Sequence, residues 1–255
     1  MSGGVHISLV AEKVLDVFGF PLTNTLLTSW LVVILLIVGA YLIGRNIKAM
    51  PAPKGPILGG VQNAAEFVIE SLFGFMTAVA GDRKTAEKFF PIVATIFIFV
   101  LLANWAGILP GVGSIGFYEH GEHGKVFVPL FRSVNSDLNM TLALALIAVT
   151  LSHFFGMASL GALRHVSKFI NFRSPIQFFV GLLEFIGEFA KIVSFSFRLF
   201  GNIFAGEVLL VIMTFLIPVI APVPFYGLEI FVGFIQALVF SVLTMMFLVV
   251  ATEHH

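Results

Sequence analysis

The length of the uncharged hydrophobic blocks constrains this chain more than any other feature. Residues 26–43 carry no charged side chain, and a helix rising about 1.5 Å per residue over that length crosses the roughly 30 Å of bilayer hydrocarbon. Comparable blocks cover about 89–109, 138–160 and 226–251, with a longer apolar stretch over 176–217. Open backbone groups find no water inside a bilayer, so spans of this kind must be helical. The expected fold is therefore all-α: a polytopic membrane helix bundle with a long, strongly tilted or bent helix pair near the C-terminus. Composition agrees, with 58% hydrophobic and 11% charged residues against about 25% charged in a soluble domain. The 255 residues are read as one membrane domain.

Several function classes drop out at this stage. The chain has no Cys, which removes disulfides, thiolate metal sites and cysteine nucleophiles. Its formal net charge of zero gives no bulk basicity for nucleic acid. No G-x-x-x-x-G-K-[ST] phosphate loop occurs, so nucleotide chemistry would fall to partners. Met1 to Pro21 lacks a basic leader and a small-residue cleavage site, and the first internal span is expected to direct insertion.

Between the spans, Pro51, Pro53, Gly55, Pro56, Gly59 and Gly60 are expected to break any helix. Residues 61–80 place Asn63, Glu66 and Glu70 on one stripe, which reads as a helix along the interface or packed on the bundle. Pro110 and Gly111 close the second span and a polar loop runs to Ser136. Pro218, Pro222 and Pro224 mark a tight turn before the last span. Arg45, Lys48, Lys54, Arg83, Lys84, Lys88, Arg164, Lys168 and Arg173 fall on one side of this five-span arrangement, and only Lys13, Lys125 and Arg132 on the other. The positive-inside rule then puts the N-terminus outside and the C-terminus inside.

The stretch 176–217 would measure roughly 60 Å as one helix, twice the hydrocarbon thickness. It also carries Glu184, Glu188, Lys191, Ser194, Ser196, Arg198, Asn202 and Glu207. A mid-span Arg costs about 2.5–3.5 kcal/mol on insertion scales, so it must face protein or water. At about 100° per residue, Glu184, Lys191 and Arg198 drift by only about 20° per seven-residue step, and Ser194 and Asn202 lie within about 40° of Arg198. Glu207 lies about 180° around the helix from Arg198. In the last span Glu229 and Gln236 share a face, with Gly233 between them. Antiparallel packing would turn this face toward the Arg198 helix.

Two uses of the seam compete. In one, Arg198 is an ion-pair partner of Glu184 or a neighbouring carboxylate and serves packing, while Glu184 and Lys191 snorkel to the inner surface. In the other, a permanently charged Arg governs a carboxylate that must release and regain a proton, because an opposite charge within about 4–6 Å favours the ionised form.

The run Ser196-Phe197-Arg198-Leu199-Phe200-Gly201-Asn202-Ile203-Phe204-Ala205-Gly206-Glu207 resembles the signature of subunit a of the F-type ATP synthase. The likeness extends to Gln236-Ala237, to Asp137, Asn139 and Thr141, to Asn104 and Leu109-Pro110, and to the Glu184, Lys191, Arg198 ladder. It covers most of the chain from about residue 57 onward. The resemblance implies a stator beside a rotating ring of c subunits, held by b-type peripheral stalk subunits in the lipid bilayer, with two offset half-channels. Under it Arg198 faces the ring and prevents a short circuit, with Asn202 and Gln236 near it. Glu207 and Glu229 would line the outer access path, and Glu184, Lys191 and Ser194 are inner-side candidates. No cofactor and no metal are implied.

The chain departs from the family at Glu229, where some relatives hold His, and at Gly107, where an Asp can stand. Glu207 and Glu229, if adjacent, would titrate as a coupled pair. His153 in the third span stands singly. His120 and His123 make a weak H-x-x-H signal without a third ligand, and His254 and His255 end the chain. The alternative outside this family is a secondary transporter that binds an anion through Arg198, for which no second copy of the seam is found.

Overall fold

The computed structural model of the chain describes residues 11–17, 20–48, 56–109, 111–121, 124–162, 169, 174–218 and 220–252. Lys54, Arg164, Lys168, Arg173 and the terminal histidines lie outside the described residues, as do the side chains of His120 and His123. Five helices are long and apolar enough to cross a membrane, over 24–45, 83–106, 138–160, 175–216 and 222–252. This is a multi-pass membrane protein. The chain divides into two compact units, Glu12–Val134 and a second that contains Asn135–His255.

The first unit begins with a hairpin of β1 (Lys13–Val17) and β2 (Phe20–Thr23), which runs into α1 (Asn24–Lys48). Polar residues at the start of α1 are buried, among them Asn24, Thr25 and Thr28. They are tied to the stretch before residue 133: Asn24 Nδ2 donates to the Pro129 carbonyl at 3.4 Å, and the Arg132 amide donates to Thr28 Oγ1 at 3.2 Å. Helix α2 (Pro56–Ala80) buries Leu72, Met76 and Ala80, one residue per turn, and packs on α3 (Arg83–Ala106) through an edge-to-face pair, Phe73 with Phe90 at 5.0 Å. Gly81, at φ +79°, ends α2 where a side chain would be strained, and Asp82 caps α3 by accepting from the Thr85 amide at 2.9 Å. A second hairpin, β3 (Gly116–Gly121) with β4 (Gly124–Pro129), follows α3.

The second unit holds α4 (Leu138–Leu160), α5 (Pro175–Leu216) and α6 (Pro222–Thr252), each packed on the other two. Asp137 caps α4 by accepting from the Asn139 amide at 2.9 Å, and Ser174 caps α5 ahead of Pro175, whose fixed φ suits the first turn. The buried face of α4 is made mostly of small residues, Thr141, Ala145, Ala148, Ser152 and Gly156, with Val149 among them. Lipid is as apolar as Leu, so helices here associate by close packing, which small side chains allow.

Several boundaries differ from the sequence reading. Helix α1 extends past both ends of 26–43. Helix α2 starts at Pro56 rather than near 61, so Pro56, Gly59 and Gly60 do not break it: a proline is tolerated in a first turn, where its missing N–H has no partner to lose. The second span runs 83–106, not 89–109, and at its start the Asp82 cap begins the helix six residues before the apolar block. Pro222 and Pro224 open α6 instead of forming the turn, which moves its start from about 226 to 222. Helix α5 is continuous over 42 residues, so of tilting, bending or breaking it does not break. The second hairpin stands where the sequence predicts a polar loop to Ser136, and the first lies in a stretch to which the sequence assigns no element.

Candidate functional site

The rotation of α5 about its axis is set by Phe195, Ser196, Leu199 and Ile203, which are all buried. Ser196 Oγ and Thr141 Oγ1 of α4 share a hydrogen bond at 3.1 Å between two fully buried hydroxyls. Phe195 stacks on Phe240 of α6 with ring centroids 3.9 Å apart. These anchors turn Ser194, Arg198, Gly201, Asn202 and Ala205 to the opposite, exposed face. Asn202 Nδ2 donates to the Arg198 carbonyl at 2.8 Å, so the amide lies along the helix beside the Arg. The Arg198 guanidinium has no ion-pair partner among the described residues, and the packing use that pairs it with Glu184 is not what the structure has.

Helices α5 and α6 are antiparallel. Gly206 meets Glu229, Phe195 meets Phe240, and Lys191 Nζ lies 5.3 Å above the Phe247 ring. Interpolating between these contacts puts Arg198 level with Gln236 and Ala237, Gln236 being half-buried and Ala237 buried. Glu229 is only 7% exposed, and with Gly233 and Ala237 it belongs to the buried face of α6. A Cβ built at Gly206 would fall on the Glu229 carboxylate, so glycine makes the room that this carboxylate fills. The half-buried Glu207 lies within electrostatic reach of Glu229. The two acids therefore form a group about two turns of α5 from Arg198 toward its C-terminus.

On the other side of Arg198, toward the N-terminus of α5, the Lys191 ammonium holds Glu188 Oε1 at 2.7 Å. Glu188 Oε2 lies 3.5 Å from His153 Nε2 on α4. Glu184 lines the same cavity as this cluster, while Ser194 stays on the exposed face with Arg198. The ladder Glu184, Lys191, Arg198 thus divides, its first two members beside a cavity of their own chain and the third facing outward. The sequence reading did not single out Glu188 and His153 as a pair. Their only signal was a carboxylate in the polar run of α5 and an ionisable ring within a span.

The model of the family described as ATP synthase A chain matches residues 26–249. The chain belongs to that family. Similar relatives include the ATP synthase subunit a of Campylobacter jejuni subsp. jejuni serotype O:23/36, 32% identical over 225 residues that cover 87% of each chain. The ATP synthase subunit a of Gloeobacter violaceus is 35% identical over 235 residues, covering 91% of this chain and 85% of that one. The matched residues include the run from Ser196 to Glu207, and the packing separates its residues by position: Ser196, Leu199 and Ile203 hold the helix, Gly206 accommodates Glu229, and Arg198 and Asn202 are presented outward.

Proposed function

We propose that this chain is the proton-channel stator subunit of an F-type ATP synthase, with Arg198 presented to a ring of c subunits. One observation carries this reading: a guanidinium at the middle of a membrane-spanning helix is exposed on a face where its neighbours, Ser194, Phe197, Gly201, Asn202 and Ala205, carry no charge. Left in lipid it would cost about 2.5–3.5 kcal/mol or more. A passing carboxylate on a partner removes that cost and is itself kept ionised by the fixed charge. Gly201 and Ala205 leave the face low enough for a neighbouring helix to approach closely.

Glu207 and Glu229 form the outer access group, and Glu184 and Lys191 the inner one, with Arg198 between them to block a direct leak. Asn202 and Gln236 supply uncharged hydrogen-bonding groups at the level of the Arg, and Ser194 adds a hydroxyl toward the inner side. The orientation follows the loop charges, with the C-terminus inside, in a bacterial plasma membrane, and b-type stalk subunits hold the stator against rotation. An anion-binding secondary transporter would need Arg198 inside a substrate cavity of this chain, and its outward face argues against that.

The absence of Cys allows a direct test. Single Gly201→Cys and Ser194→Cys variants should form disulfides under mild oxidation with cysteines placed on the outer helices of the carboxylate-bearing ring. Phe195→Cys, on the buried face, should not. Cross-linking from Phe195→Cys alone would put the wrong face of α5 toward the ring.

A further inference from the structure

Two cavities in the second unit, of about 590 and 600 Å³, share a wall made by His153 and Glu188. The first is bounded largely by apolar side chains such as Phe178, Leu182, Phe185 and Phe189. The second is bounded by Ser152, Glu184, Lys191 and the end of α6. Glu188 stands ten residues from Arg198, about 15 Å along the axis, on the side away from Glu229. Its two carboxylate oxygens have different partners, Oε1 the ammonium of Lys191 at 2.7 Å and Oε2 the imidazole of His153 at 3.5 Å. Lys191 already neutralises the carboxylate, so charge balance does not require His153. A 3.5 Å spacing is that of a donor and acceptor that meet when either side chain rotates slightly. Both side chains are part-exposed to the cavity, 29% for His153 and 21% for Glu188. Among the described residues lining the cavity, the charged groups around His153 are Glu184, Glu188 and Lys191 of α5, and α6 supplies none.

We propose that His153 is a proton-carrying residue of the inner half-path, exchanging protons with Glu188 and with water in the cavity that Glu184 and Lys191 also line. This rests on the stator reading above. In the synthesis direction the resting Glu188 carboxylate takes up on Oε2 a proton arriving through water from the Arg198 side and passes it to Nε2 of the neutral ring, leaving a carboxylate and an imidazolium. The imidazolium gives one proton to cavity water and returns to the neutral ring, so one proton has moved inward and both groups are restored. Imidazole suits this step because each ring nitrogen can take or release a proton.

The test uses the whole complex in vesicles, with ATP synthesis driven by a potassium diffusion potential at equal pH on both sides, so that added weak bases do not collapse the driving force. His153→Ala should lower the rate at least about tenfold, less than the full loss of an acid–base group because cavity water keeps part of the path. Added imidazole should restore a large part of that rate in His153→Ala and leave the unsubstituted complex unchanged. Pyrazole, which fills the same space but takes up no proton near neutrality, should restore none. An unchanged rate in His153→Ala, or equal rescue by both compounds, would overturn the proposal. If His153→Ala is not recovered in complexes, His153→Gln, which keeps bulk and hydrogen bonding, should show the same loss at normal recovery, and a full rate there would overturn it. Arg198→Ala is run alongside: active Arg198→Ala sinks the stator reading, whereas inactive Arg198→Ala with unaffected His153 variants sinks only the His153 role.

Discussion

At the scale of residues, the site is a set of side chains sorted by which face of α5 and α6 they occupy. Arg198, Asn202, Glu207, Glu229 and Gln236 were legible in the sequence as candidates, because helical spacing and a specific run of residues single them out. The His153 and Glu188 pair was not, because it depends on the register between α4 and α5, which a single helix does not encode. Glu207→Gln and Glu229→Gln, taken singly, are expected to slow proton flux from the outer side in vesicles carrying the complex; unchanged flux in both would remove the two acids from the path. The two glycines of the motif should separate in the same assay. Gly206→Ala puts a methyl where the Glu229 carboxylate lies, and since that group ends a flexible side chain it can swing away. Flux should then fall as in Glu229→Gln, with thermal stability kept to within about 1–3 kcal/mol. A Cβ at Gly201 meets nothing within 4 Å in this chain, so Gly201→Ala should leave the stability of the isolated subunit unchanged. On the proposed stator reading, its effect would appear only in the complex, where a ring helix approaches this face.

At the scale of elements, hydrophobic blocks located the spans and misplaced their ends. Blocks report where lipid contact begins, whereas capping decides where a helix begins, and α3 shows the difference: Asp82 accepts from Thr85 ahead of the basic first turn. Side-chain and backbone hydrogen bonds from Thr85 hold the Asp82 carboxyl below its usual range. Because the folded-state value is depressed, the contribution of the cap is complete above the ordinary carboxylate value and fades as pH falls through the lowered one. Amide exchange at residues 83–86 should accordingly rise relative to the middle of α3 as the solution is acidified through that window, and Asp82→Asn should remove this pH dependence. Equal sensitivity in Asp82→Asn would show that another group controls the end of the helix. The hairpins escaped the sequence reading because each is two short strands. Gly121 and Gly124 flank the β3–β4 turn within the stretch that polarity marks as a loop, although glycine-flanked turns between runs such as Lys125–Val128 are what hairpins need.

For the whole molecule, the asymmetric distribution of Lys and Arg around five spans is the basis of the proposed orientation, in which the two acid groups of the second unit would open to opposite sides. In a chain without cysteine, a Cys placed at Tyr118 should react with a membrane-impermeant thiol reagent added outside, and one at Gly81 only with reagent added inside. The reverse pattern would invert the assignment of both half-paths. In the proposed mechanism both half-paths depend on the fixed charge of Arg198 between them. The most direct measurement is ATP-driven acidification of vesicles containing the complete complex with Arg198→Ala, the subunit being present at its normal amount with the ring. Acidification is expected to be lost, and acidification retained at the unsubstituted rate would contradict the proposed role of Arg198.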